Sequence, residues 1–176
     1  MKLVPLFFFL GILFTNPVLA ERADRDKPVH LESDRATVKN TGISNNKNRV
    51  SVFIGNVLLT QGTMTIRSDK MEIEEDEDGF QNFTAYGDLV SYRQKSEGKD
   101  EYVEGWGKRM EFDSKTDKVE FFKKARLKRG ADEVHGEYIS YESTTEFFQV
   151  NNGKNTNSKN RVRAVIQQKK KKKKQE

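Results

Sequence analysis

Residues 53–73 read FIGNVLLTQGTMTIRSDKMEI, and 68 positions later residues 121–141 read FFKKARLKRGADEVHGEYISY. Superposed without a gap, Phe53 falls on Phe121, Val57 on Ala125, Leu59 on Leu127, Ile66 on Val134, Met71 on Ile139, Ile73 on Tyr141, and Gly62 on Gly130. Phe53, Val57 and Leu59 share one parity, Ile66 takes the other, and Met71 and Ile73 return to the first. An apolar face of period two, interrupted twice, is the mark of strands with bends between them. The intervening positions agree poorly, with Leu58 on Arg126 and Met64 on Asp132, as expected where only one face of each strand is tied to an interior. The repeated feature is an inward face.

The same rhythm extends on both sides. Between Val29 and Val150 short alternating stretches are broken by TQG, EEDEDG, AYGD, KSEGKD, DSKTD and KRG, at intervals of roughly 8–10 residues. No segment keeps a 3.6-residue apolar period for three turns, and β-branched and aromatic residues fill the apolar positions. The spacing predicts an all-β, antiparallel domain of the sandwich, jelly-roll or barrel kind. The acidic run Glu72–Asp78 lacks the alternating ligand spacing of a calcium loop and reads as a solvated hairpin tip ending at Gly79.

Residues 1–20, MKLVPLFFFLGILFTNPVLA, carry one lysine, an apolar stretch from Leu3 to Phe14, a helix-breaking Pro17, and Val18 and Ala20 at small-residue cleavage positions. They read as a secretory signal peptide, since an apolar stretch this short falls below the ~20 residues of a spanning helix. Residues 21–26 then form a flexible N-terminus, 27–150 the β domain, and 151–176 a disordered basic tail. Without a single cysteine among its 176 residues, the chain has neither a disulfide framework nor a thiolate metal site. The net charge of +5 is unevenly distributed: residues 154–176 hold ten lysines or arginines against one acid, and 21–153 hold 21 against 26. The tail ends in Lys169–Lys174 and is expected to solubilise, with contact to anionic lipid or phosphorylated saccharide as a second reading. Basic charge without interleaved aromatics or a fold motif does not point to nucleic acid.

Signatures of catalysis are missing. His30 and His135, the two histidines, have no second ligand at metal spacing, and no GxSxG, HExxH, phosphate loop or dinucleotide fingerprint occurs. Neither enzyme activity, nor a metal, nor a cofactor is expected.

The string GNVLLTQGTMTIRSDKMEI, residues 55–73, with PVHLESDRATV at 28–38 and VEGWGKRMEF at 103–112, resembles the OstA-like family of lipopolysaccharide export. The resemblance covers Pro28 to about Val150. It implies a twisted, V-shaped antiparallel β-jelly roll, an open sandwich of many short strands around an apolar groove that shelters lipid acyl chains. It further implies a periplasmic transport protein whose ligand is the lipid A moiety of lipopolysaccharide. Its partners would be an inner-membrane-anchored export component, an outer-membrane translocon, and further copies stacked head to tail through edges at Pro28–Val38 and Glu146–Val150. Lipid-facing positions are then expected at Val29, Leu31, Phe53, Val57, Leu59, Ile66, Val90, Tyr92, Met110, Phe112, Phe121 and Leu127. The competing reading is a β-scaffold or saccharide-binding module with a filled core, because packed and open interiors demand the same inward apolar residues.

Overall fold

The computed structural model describes residues 24, 27–40, 49–76, 79–96, 98–152 and 161–167. The signal segment 1–20, the hairpin tip at Glu77 and Asp78, and Lys169–Lys174 lie outside the described residues. The strands are β1 (His30–Glu32), β2 (Arg35–Asn40), β3 (Arg49–Gln61), β4 (Met64–Asp76), β5 (Gly79–Lys95), β6 (Tyr102–Asp113), β7 (Lys118–Arg129), β8 (Asp132–Glu142), β9 (Phe147–Asn151) and β10 (Arg163–Val165). From β3 to β8 each strand pairs antiparallel with the next. Gly62 and Gly130, matched in the repeat, occupy equivalent hairpin turns at the same φ of +57°, a conformation that favours glycine.

One irregularity recurs in every long strand. Pairing breaks between Ile54 and Val57, Arg67 and Lys70, Tyr86 and Val90, Trp106 and Arg109, and Phe122 and Ala125. Because these pairs are mutual partners, the bulges form one line across the sheet and fold it into two leaves. The first leaf contains β1, the Val57–Gln61 part of β3, the matching parts of β4–β8, and β10. The second contains β2, the other parts of β3–β8, and β9. The two parity interruptions of the repeat are this bulge line and the hairpin turn. Gly55 and Asn56, at φ +87° and +48°, form the bulge in the first copy; Lys123 and Lys124, at +60° and +54°, form it in the second.

The leaves meet face to face. Val57, Leu59, Ile66, Met71, Ile73, Phe83, Val90, Tyr92, Met110, Phe121 and Ile139 are all buried in one cluster. The Phe121 ring from the second leaf sits against Tyr92 of the first, with ring centroids 6.0 Å apart. It occupies the space where a Cβ on Gly105 would stand, 2.0 Å from Phe121 Cζ. Glycine at 105 is therefore a packing requirement that lets the leaves close.

Two expectations need correction. Met64, which the superposition places among the intervening positions opposite Asp132, has the parity of Ile66 and is buried at 2% exposure. The tail expected over 151–176 contains two ordered pieces: Asn151 ends β9, and Arg163–Val165 pair with Glu133–His135 of β8. β8 leaves the edge of its first-leaf half unpaired by β9, and a short alternation of Val162, Ala164 and Ile166 suffices to fill it.

The packing predicts that Gly105→Ala lowers stability by about 1–3 kcal/mol through overpacking, and that Phe121→Leu in the same chain recovers part of the loss by emptying the clash. Urea midpoints of the two single variants and the double variant measure it; additive losses would mean that the ring and Cβ do not compete. The bulge predicts the opposite sign for Lys123→Gly combined with Lys124→Asn. Relief of two left-handed lysines should raise stability by about 0.5–1 kcal/mol, with the thermal midpoint as readout.

Candidate functional site

The interior between the leaves is the feature to which all twelve positions expected to face lipid contribute. Of the twelve positions expected to face lipid, Val57, Leu59, Ile66, Val90, Tyr92, Met110, Phe112, Phe121 and Leu127 are buried in the core cluster. Val29, Leu31 and Phe53 are half-buried and pack against it at the N-terminal edge. Strand alternation does this directly: in β6, Val103, Gly105, Met110 and Phe112 point in, and Glu104, Trp106, Arg109 and Glu111 lie on the other face. Phe112 stacks on Phe83 at 5.5 Å between centroids, while its neighbour Glu111 pairs with Arg109 at 3.1 Å.

Most of this interior is closed by side chains. Space remains at the C-terminal end, where an apolar cavity of about 380 Å³ lies between the leaves. Val103, Leu127 and Val134 line it from the first leaf, and Tyr141, Phe148 and Val150 from the second. Ala164 and its neighbours Val162, Val165 and Ile166 close one side. Its size lies within the ~300–1,000 Å³ range of small-ligand pockets. Among the expected positions, Leu127 alone lines this cavity. The repeat contained the signal for two more, since Val134 and Tyr141 are the mates of Ile66 and Ile73. Nothing in the polar tail marked Ala164.

Charges sit outside and at the lips. On the outer face Arg126 makes a two-point contact with Glu133, at 2.8 and 2.9 Å, and lies 4.4 Å from the centre of the Trp106 ring. The Arg126 hydrogen bonds hold the Glu133 carboxyl below its ordinary range, against partial desolvation. Arg93 covers the Tyr102 ring at 3.6 Å, and Arg109 the Phe122 ring at 3.9 Å. These cross-strand pairs brace each leaf from outside.

An ion-pair group joins the leaves. Glu146, in the turn between β8 and β9, receives hydrogen bonds from Lys99 Nζ, in the β5–β6 loop, and from Arg129 Nη1 at 3.2 Å. Lys99 and Arg129 belong to the turn end of the first leaf and Glu146 to that of the second. The Lys99 hydrogen bond is the main cause that keeps the Glu146 carboxyl below its usual range; desolvation opposes it and Arg129 adds to it. Such an arrangement offers apolar volume with an ionic rim and, among the described residues, no acid–base or nucleophilic constellation.

Comparison with known proteins agrees with this geometry. The structure resembles that of LptH, described as the LptA homologous periplasmic component of the lipopolysaccharide transport device of Pseudomonas aeruginosa, with a TM-score of 0.72 over 82% of this chain and 99% of that one, at 20% identity. In sequence the chain is 31% identical over 128 residues to the lipopolysaccharide export system protein LptA of Escherichia coli K12, covering 71% of this chain and 65% of that protein's length. It is 26% identical over 173 residues to LptH of P. aeruginosa, covering 94% of each. Residues 30–147 match the family described as LptA/(LptD N-terminal domain) LPS transport protein. The twofold rhythm of residues 53–73 and 121–141, the bulge line it encodes and the apolar interior it encloses are thus those of a member of the LptA/LptD N-terminal family, to which this chain belongs.

Proposed function

We propose that this chain is a periplasmic lipopolysaccharide-transport protein that shields acyl chains between its two leaves and bridges the membranes by head-to-tail assembly. The observation that carries the reading is the continuous apolar interior, running from Leu31 and Phe53 at one sheet edge to the cavity beside β10 at the other. Acyl chains need burial and no directed bonds, at ~25 cal/mol per Å² of apolar surface. Chains that part the leaves replace the leaf-to-leaf contacts they break, and can slide because no position holds them by hydrogen bonds. Export through the segment 1–20 fits that location. The partners are lipid A, an inner-membrane-anchored export component and an outer-membrane translocon.

Strand directions support stacking. β1 and β2 both run antiparallel to β3, and β9 and β10 both run antiparallel to β8. β3 and β8 run in opposite directions, being separated by an unbroken antiparallel series. The N-terminal edge of one copy therefore meets the C-terminal edge of the next in antiparallel sense in both leaves. Exposed apolar residues stand at the two edges, Val38 on β2 at 56% and Phe147 on β9 at 57%. Such a contact is heterologous and does not close.

The close packing of Phe121 over Gly105 favours one second reading, a filled-core module that holds saccharide on its surface. Purified protein should bind lipopolysaccharide and lose it when the acyl chains are removed; affinity retained for the sugar alone selects the second reading. A photoreactive side chain at Phe112 should capture lipopolysaccharide during transport, and the same group at Glu111 should not. Capture at Glu111 alone reverses the assignment of faces. In light scattering, rising concentration should give a ladder of oligomers, and Phe147→Lys should shorten it by placing a charge at the edge; a ladder unchanged by that substitution places the contact elsewhere.

A further inference from the structure

The turn between β8 and β9 copies the turn between β6 and β7. Residues 113–118 read DSKTDK and residues 142–147 read ESTTEF, with Asp117 and Glu146 at the same place and at φ of +51° and +54°. A left-handed residue there is what the turn requires, and glycine, asparagine or aspartate meets that requirement with least strain. Asp117 conforms. Glu146 does not; unlike the left-handed Lys123 and Lys124, whose side chains point to water, it has a structural reason beyond the turn.

Its side chain supplies one. Glu146 reaches from the second leaf to Lys99 and Arg129 of the first. Arg129 also lines the apolar cavity, together with Val103 and Leu127 of its own leaf and Phe148 of the other. Nearby carboxylates of the first leaf are otherwise engaged: Asp100 pairs with Lys95 at 3.0 Å, and Asp132 accepts the Gln167 backbone N–H at 2.8 Å. Glu101 stands beside Gly130, within the same leaf. Among the described residues, Glu146 is the carboxylate that crosses. The group is only partly buried, with Glu146 at 34% side-chain exposure and Lys99 at 45%, so the contact is one that water can replace.

We infer that the C-terminal end of the seam between the leaves is a port into the apolar cavity, and that Glu146, held by Lys99 and Arg129, is the latch that keeps it shut. Separation of these three side chains frees the β8–β9 turn from the β5–β6 loop and uncovers Leu127, which is otherwise buried. A weak, water-exchangeable ionic contact suits such a latch, because it keeps apolar surface covered in the empty protein and yields to a ligand that supplies apolar contact of its own. The purpose of the port rests on the proposed lipid path; the latch itself rests on the geometry.

The test separates the two. Glu146→Asn removes the latch while suiting the left-handed turn, so the fold is retained. Lys99→Cys with Glu146→Cys, in a chain free of other cysteines, lets a short bismaleimide tie the lips together. With a photoreactive group at Leu127 and purified lipopolysaccharide as probe, capture should be about fivefold faster in the Asn variant, in line with the loss of two partly exposed ion pairs. It should fall to background in the cross-linked protein and return in the uncross-linked cysteine pair. Equal capture in all forms overturns the port and leaves the lipid reading standing. If no form captures lipid, wild type included, the lipid reading fails and hydrogen exchange decides the latch. Faster exchange at Leu127–Arg129 and Phe147–Val150 in the Asn variant, with an unchanged urea midpoint, upholds it, and unchanged exchange overturns it.

Discussion

The bulge line governs this molecule. Every strand from β3 to β8 is long enough to serve two leaves, and each must bend at the same level if the sheet is to fold over without tearing its hydrogen-bond ladder. A single strand that ran straight would force its neighbours to lose pairing on one side or the other. The residues at the line show the constraint in chemical terms. The first copy meets it with Gly55 and Asn56, both suited to positive φ, and a Cβ at 55 would strike the Asp34 carboxylate. The second meets it with two lysines whose side chains point to water and whose backbones carry the strain. That strain persists because the pairings on either side of the line, Arg109 with Phe122 and Trp106 with Arg126, fix where the bend must fall.

From the bend follows the interior, and from the interior the proposed mode of action. Contacts within a leaf are hydrogen-bond ladders; the contacts that join the leaves are ring against ring, ring against glycine, aliphatic packing, and the ionic group at the lips. The molecule is therefore stiff along and across each leaf and soft in the direction that separates them. Apolar contact is non-directional and exchangeable, so an acyl chain can take the place of a facing side chain at small net cost. A hydrogen-bonded interior would bind one arrangement of ligand and resist sliding.

Much of this is legible in the sequence because it follows from period two. The repeat identifies the inward face, and Val57, Leu59, Ile66, Met71, Phe121, Leu127 and Ile139 are all in the core. Met64 escapes because the superposition of copies sets it against Asp132, and agreement between copies is a weaker sign of burial than strand parity, which by itself assigns Met64 correctly. β10 escapes for a different reason. Three residues of alternation within a polar, basic segment carry almost no local signal, and what orders Arg163–Val165 is the unpaired edge of β8, a property of the folded sheet. The closing of the leaves is equally invisible. It depends on Gly105 facing Phe121 across a gap that no reading of either strand by itself reveals.

The same reasoning separates conformational choice from chemical choice at the turns. At 62 and 130 the residue is glycine and the positive φ favours it, with the Asp24 carboxylate also leaving no room for a Cβ at 62. At 117 an aspartate accepts the left-handed conformation, and its carbonyl receives the Ser143 N–H at 3.2 Å, so the turn explains that residue too. At 146 the backbone argues for a small or short polar residue, and the chain has a glutamate instead. What sets this glutamate apart from the equally left-handed Lys123 and Lys124, whose side chains point to water, is what its side chain reaches. Here that is the facing leaf, beside the apolar cavity at the C-terminal end of the interior.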